Sequence, residues 1–133
     1  MARRNYYTGK YKLDKAEYLS AKYYAMRYES WKDEYNDCKD SVSAIVPDDM
    51  PHGTTVGNPT ERLAIRREEL LQKIKLIEQA AIEADGDFYQ WILRHATQGV
   101  SYEYLSASGE LFCSRRSFFR KMNKFYWLLS SRI

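Results

Sequence analysis

Residues 13–42 read LDKAEYLSAKYYAMRYESWKDEYNDCKDSV and contain neither Gly nor Pro. Within them Ala21, Tyr24, Tyr28, Trp31, Tyr35, Cys38 and Val42 recur at alternating spacings of three and four. That period places one apolar edge along a helix of about thirty residues, and the edge must be covered by another helix. The edge is aromatic. Tyr and Trp at these positions suit a helix hairpin or globular bundle better than a parallel zipper, whose holes favour Leu and β-branched side chains. An antiparallel partner within the chain is therefore expected.

That partner lies downstream, after the turn-forming stretch VPDDMPHGTTVGN. Asn58, Pro59, Thr60 and Glu61 offer a cap, a proline at the first helical position and an early acid. Leu63, Leu70, Ile74, Ile77 and Ala81 then repeat the three/four spacing, with Arg67 interrupting it. Residues 13–84 are thus predicted as a helical hairpin with its loop near 46–58. Arg67 in the seam and the aromatic bulk opposite point to a surface left over for a homodimer through this hairpin.

Beyond it, Asp87 is the expected cap of a shorter helix reading FYQWILRHAT, which Gly99 stops. Ser101 opens a second helix, Gly109 marks a turn, and Ser114 caps a last helix reading SRRSFFRKMNKFYWLLSSR. No strand-like alternation of any length is present. The fold class expected is all-α: an arm, 1–12, expected to be flexible; the hairpin, 13–84; and a three-helix unit, 87–133, ordered as a helix-turn-helix.

Composition agrees with a folded chain. Hydrophobic residues make up 44% of the 133 residues and charged ones 29%, with Gly 6 and Pro 3. Cys38 and Cys113 lack metal or disulfide-framework spacing, and His52 and His95 stand alone, so neither a metal site nor a nucleophile pair is expected. No phosphate-cradling Gly motif is present, and adjacent acids such as Glu68 and Glu69 splay apart on a helix; enzyme activity and a cofactor are not expected. MARRNYYTGKYK lacks the apolar core of a signal peptide, and no apolar run is long enough to span a bilayer. A cytoplasmic protein without membrane contact is the expectation.

Charge is unevenly spread. Residues 111–133 hold six of the 21 basic residues and none of the 18 acidic ones, against a net charge of +3 for the whole chain. A basic terminal helix on a slightly acidic remainder is the footprint of a polyanion partner, because phosphates neutralised by Lys and Arg release counterions. On the last helix Phe118, Met122, Phe125 and Leu129 fall within about 60° of one another at 3.6 residues per turn. Arg116, Arg120, Asn123, Lys124 and Trp127 take the other face. This is the division a recognition helix needs in the major groove of duplex DNA. Arg115, Arg116, Ser117, Arg120, Lys121, Asn123 and Lys124 are the candidate DNA contacts, Arg116 and Arg120 toward bases, Lys121 and Lys124 toward phosphates.

The stretch GVSYEYLSASGELFCSRRSFFRKMNKFYWLLS resembles the carboxyl-terminal segment of small phage-encoded transcriptional regulators of the ArpU and RinA type, itself similar to sigma factor region four. The resemblance rests on Gly99, Ser101, Tyr102 and Leu105 in the first helix and on Ser114, Arg115, Phe118, Phe119, Arg120, Lys124, Phe125, Leu128 and Leu129 in the second. Upstream, Gly57, Asn58, Pro59 and Thr60 resemble the family's helix start. The likeness covers residues 58–133, and 13–57 only in architecture. It implies a regulator of phage or prophage genes that binds DNA beside host RNA polymerase. A small terminase subunit, which recognises DNA for packaging, and a helical adaptor whose basic helix binds an acidic protein are the rival readings.

Overall fold

The computed structural model describes residues 5–7, 10–44 and 59–133, with side chains from residue 10 to 38 and from 59 onward. It is all-α apart from one small pairing. Strand β1 (Asn5–Tyr7) runs antiparallel to β2 (Leu13–Asp14), with Asn5 opposite Asp14 and Tyr7 opposite Leu13. Asn5–Tyr7, within the arm expected to be flexible, thus pairs with the residues just before the first helix, and Leu13 is fully buried there. So short a pairing has no alternating run to announce it in the sequence.

Helix α1 (Lys15–Met26) begins where the Asp14 carboxylate accepts the N–H of Glu17 at 2.7 Å. The single helix expected over 13–42 is interrupted. Arg27 closes α1 by donating its N–H back three residues to Tyr24 O at 3.2 Å, and α2 (Tyr28–Ala44) then starts afresh. The two pieces serve different neighbours: α1 packs on α4 (Tyr89–Gln98) and α6 (Arg115–Arg132), whereas α2 packs on α3 (Pro59–Ala84). A straight rod cannot turn one seam toward both.

Only the α2 part of the expected seam meets α3: Tyr28, Trp31 and Cys38 are buried on α2, and Leu70, Ile74, Ile77 and Ala81 on α3, while Ala21 is buried on α1, which packs on α4 and α6, and Arg67 faces solvent. Val42, the loop near 46–58, Asn58 and His52 lie outside the residues described in full. Tyr28 donates its hydroxyl to Glu78 Oε2 at 3.1 Å, and Arg66 grips both Glu34 oxygens at 2.9 and 3.1 Å, tying α2 to α3.

Pro59 occupies the first position of α3, where its missing N–H costs nothing. At the far end Asp87 does not cap α4 as expected: Phe88 stands at the cap position without a side-chain cap, and Asp85 braces the turn before it. Its Oδ1 accepts the N–H groups of Asp87 at 2.9 Å and Phe88 at 3.2 Å. Gly99 ends α4 at φ +70°, in the left-handed region open to glycine. Ser101 caps the short α5 (Tyr102–Ala107) and Gly109, at φ +75°, turns the chain toward Ser114 and α6.

The stretches expected as a hairpin, 13–84, and a three-helix unit, 87–133, share one core. Phe118, Met122, Phe125 and Leu129 of α6 are fully buried within it, as are Leu70, Ile77, Ile92 and Leu105. Helix α6 lies against α1, α3 and α4, so only one stripe of its circumference faces outward. Among the described residues no helix is long and apolar enough to cross a membrane.

Candidate nucleic-acid interface

Helix α6 starts from a fixed point. Ser114 Oγ accepts the N–H of Ser117 at 3.1 Å, and the Tyr102 hydroxyl donates to Cys113 O at 2.7 Å, pinning the entry to α6 onto α5. Below this entry Phe118 and Phe119 meet the His95 ring edge-on at 5.3 and 5.6 Å. His95 Nδ1 is bonded to Val100 O at 2.8 Å, and burial holds its pKa below the ordinary histidine value, with the Val100 carbonyl opposing that shift. This histidine is part of the packing that sets the angle of α6.

The cations of α6 divide into two kinds. Arg115 is ion-paired with Glu103 and lies over the Phe119 ring at 5.0 Å. Lys121 meets Asp85 at 2.8 Å, both side chains largely sheltered at 21% and 23% exposure, and Arg132 is paired with Glu83. Burial raises the Asp85 carboxyl, but Lys121 and the N–H groups of Asp87 and Phe88 together outweigh it and leave its pKa lowered. Arg116, Arg120 and Lys124, by contrast, have no carboxylate partner among the described residues. They follow one another at four-residue steps along the outward stripe of α6, which Trp127 continues.

The seven residues expected to contact DNA therefore separate. Arg116, Arg120 and Lys124 share the outward stripe. Arg115 is exposed but paired, and Lys121 is turned inward to Asp85, where it joins α6 to the end of α3. Ser117 is half-buried beside the cap. Asn123 departs furthest from expectation: it is 8% exposed rather than part of the solvent face, and its Oδ1 has no hydrogen-bond partner. The helical wheel places it toward Arg116 and Trp127, but the chain around α6 covers that edge.

Part of the cover was not expected at all. Tyr11 meets Trp127 edge-on at 5.1 Å, and the ammonium groups of Lys10 and Lys124 lie 5.6 and 5.9 Å from the Tyr11 ring centre. Lys10, Tyr11 and Lys124, together with Ala84, Asp85, Ser117, Arg120, Lys121 and Asn123, line an open cleft of about 590 Å³ between the amino-terminal segment and α6. The basic and aromatic run Lys10, Tyr11, Lys12 is the only trace of this in the sequence. Most other tyrosines of α1 and α2 are structural: Tyr18 meets Tyr126 at 5.2 Å and Tyr24 meets Trp31 at 4.8 Å.

Comparison with protein-family models, with curated proteins and with solved structures finds no match for this chain.

Proposed function

We propose that the protein is a sequence-reading, duplex-DNA-binding regulator that presents α6 to the major groove. The observation that carries this reading is the sorting of charges on α6. Exposed Arg116 and Arg120 and half-buried Lys124 follow one another at four-residue spacing with no acid among the described residues to neutralise them, on a helix whose opposite face is locked into the core by Phe118, Met122, Phe125 and Leu129. Such a stripe repels itself unless an anion meets it, and a DNA backbone offers phosphates along a groove wide enough for a helix. The α5–turn–α6 order, with Ser caps at both helix starts, is compatible with a helix-turn-helix. The resemblance of residues 58–133 to ArpU and RinA type regulators adds phage or prophage genes as the setting and host RNA polymerase as a neighbour. A dimer through 13–84 would set two such helices on paired half-sites, and the exposed Met26 and Ile65 offer it apolar surface.

The test is fluorescence anisotropy on labelled duplex DNA across 50 to 300 mM salt, with wild type beside the Arg116→Ala, Arg120→Ala double variant. Each phosphate contact adds about −0.9 to the slope of log affinity on log salt. Arg116 and Arg120 are expected on bases, where each lost pairing removes about 1 to 3 kcal/mol of discrimination, so the double variant is expected to lose its preference for its own site over scrambled duplex. A double variant that binds as wild type refutes the assignment. Phe112, 83% exposed, and Tyr104, 61% exposed, favour a second reading in which this end of the molecule docks on a protein. Salt-insensitive binding to a protein with none to DNA would establish that reading.

A further inference from the structure

We propose that the cleft between the Lys10–Tyr11 segment and α6 is a phosphate-binding site, in which Lys10, Arg120 and Lys124 take up the charge. The inference rests on the reading of α6 as the DNA-facing helix and names what its cleft holds: a phosphate group, from the DNA backbone or free in solution.

Three independent features converge there. The first is charge. Lys10 and Lys124 approach the same Tyr11 ring, at 5.6 and 5.9 Å, and Arg120 lines the same cleft, with no carboxylate partner for any of the three among the described residues. Cations gathered round one ring repel one another, and an anion placed among them removes that repulsion. Asp85, the carboxylate that lines the same cleft among the described residues, is already engaged by Lys121 at 2.8 Å and by the N–H groups of Asp87 and Phe88. It adds little negative charge toward the cleft.

The second is an uncommitted amide. Asn123 is more than nine-tenths buried, lines the cleft, and leaves Oδ1 without a partner. A buried polar atom left unpaired is costly, and native structures keep few of them without a use. The donor that this side chain can offer a phosphate oxygen is its N–H₂ group. The third is the half-buried Ser117, whose hydroxyl supplies a further neutral donor at the same wall. Three cations with two neutral donors, beside the Lys121–Asp85 pair, in an open cleft of about 590 Å³ are the chemistry that recognises a phosphate oxyanion rather than an apolar ligand.

The cleft also assigns a role to the amino-terminal segment. Lys10 and Tyr11, just before β2, form one wall of the cleft and α6 the other.

The experiment is a ¹H–¹⁵N NMR titration of the full chain with inorganic phosphate, against sodium chloride at matched ionic strength, followed by a labelled 16-base-pair duplex. Wild type, Lys10→Ala and Asn123→Leu are compared. The expected result is saturable shifts confined to Lys10, Ser117, Arg120, Asn123 and Lys124, weakened in both variants while the remaining spectrum is unchanged. For the duplex, Lys10→Ala is expected to weaken binding about eightfold at 0.1 M salt and flatten the salt slope by about 0.9, the loss of one phosphate contact. Saturation by phosphate without any duplex binding would uphold the cleft with free phosphate as its ligand and overturn the DNA reading. Duplex binding that Lys10→Ala leaves unchanged, with phosphate shifts scattered and unsaturated, would overturn the cleft and leave the DNA reading standing. Absence of both overturns both.

Discussion

Asn123→Leu is expected to make this protein more stable, and the reason lies in what surrounds the side chain. Asn123 sits on α6 between Met122 and Phe125, is 8% exposed, and holds an amide oxygen with no partner. A buried polar group left unsatisfied costs about 1 to 3 kcal/mol, whereas an apolar side chain of similar branching has nothing to satisfy. Leucine also ranks above asparagine as a helix former by a few tenths of a kcal/mol or more. Against this stands the larger volume of leucine, which the adjoining cleft that Asn123 lines has room to take up. The net expectation is a gain of about 1 kcal/mol, or roughly 3 to 6 °C in Tm for a chain of this size. Thermal unfolding followed by circular dichroism at 222 nm measures it directly. A Tm that falls would refute the reasoning, because it would mean that the amide is hydrogen-bonded in the folded state. If stability rises while phosphate shifts are lost, the asparagine is kept for its ligand at the expense of the fold, as binding sites commonly are.

Other substitutions test the frame around the interface. Phe118→Ala removes a fully buried ring that touches His95, Tyr102 and Phe119, and is expected to cost about 3 to 5 kcal/mol, seen as a loss of cooperative unfolding or a much lower urea midpoint. Gly99→Ala meets no neighbouring atom, so its cost is the left-handed backbone alone, about 1 to 2 kcal/mol by urea unfolding; a neutral result would mean that the α4 end can relax to negative φ. His95 has a folded pKa lowered from 6.5 by burial, so the unfolded chain takes up protons first as pH falls. Stability is therefore complete above about pH 6.5 and declines as pH drops from there toward the folded pKa, and His95→Gln removes that slope from a plot of Tm on pH. A wild-type Tm equal at pH 7.5 and 5.5 would count against it.

The all-α class was legible because period and punctuation agreed. Spacings of three and four put Tyr28, Trp31, Leu70, Ile74 and Ile77 on facing edges, and Gly99, Ser101, Gly109 and Ser114 mark boundaries by chemistry that works within four residues. The break at Arg27 had no such mark. Neither Gly nor Pro stands there, and the interruption answers to a difference between neighbours, α4 and α6 for α1 and α3 for α2, that lie far along the chain. The pairing of Asn5–Tyr7 with Leu13–Asp14 escaped for a related reason, since two or three residues cannot display a period.

The candidate interface shows the same limit in its charges. Arg115 and Arg116 are adjacent and identical, and Arg120 and Lys121 are neighbours of like charge, so the sequence alone does not say which member of either pair keeps its charge free. What separates them is a carboxylate contributed by another element: Glu103 of α5 for Arg115, and Asp85 beyond the end of α3 for Lys121. A cation's availability to an outside partner is thus a property of the fold that surrounds it, not of its own helix. The same holds in reverse for Lys10, which no helical period could connect with α6, yet which stands across a cleft from Arg120 and Lys124, in the segment just before β2. Counting basic residues on the last helix locates the surface; the acids of neighbouring elements decide which of those residues have charge left to offer.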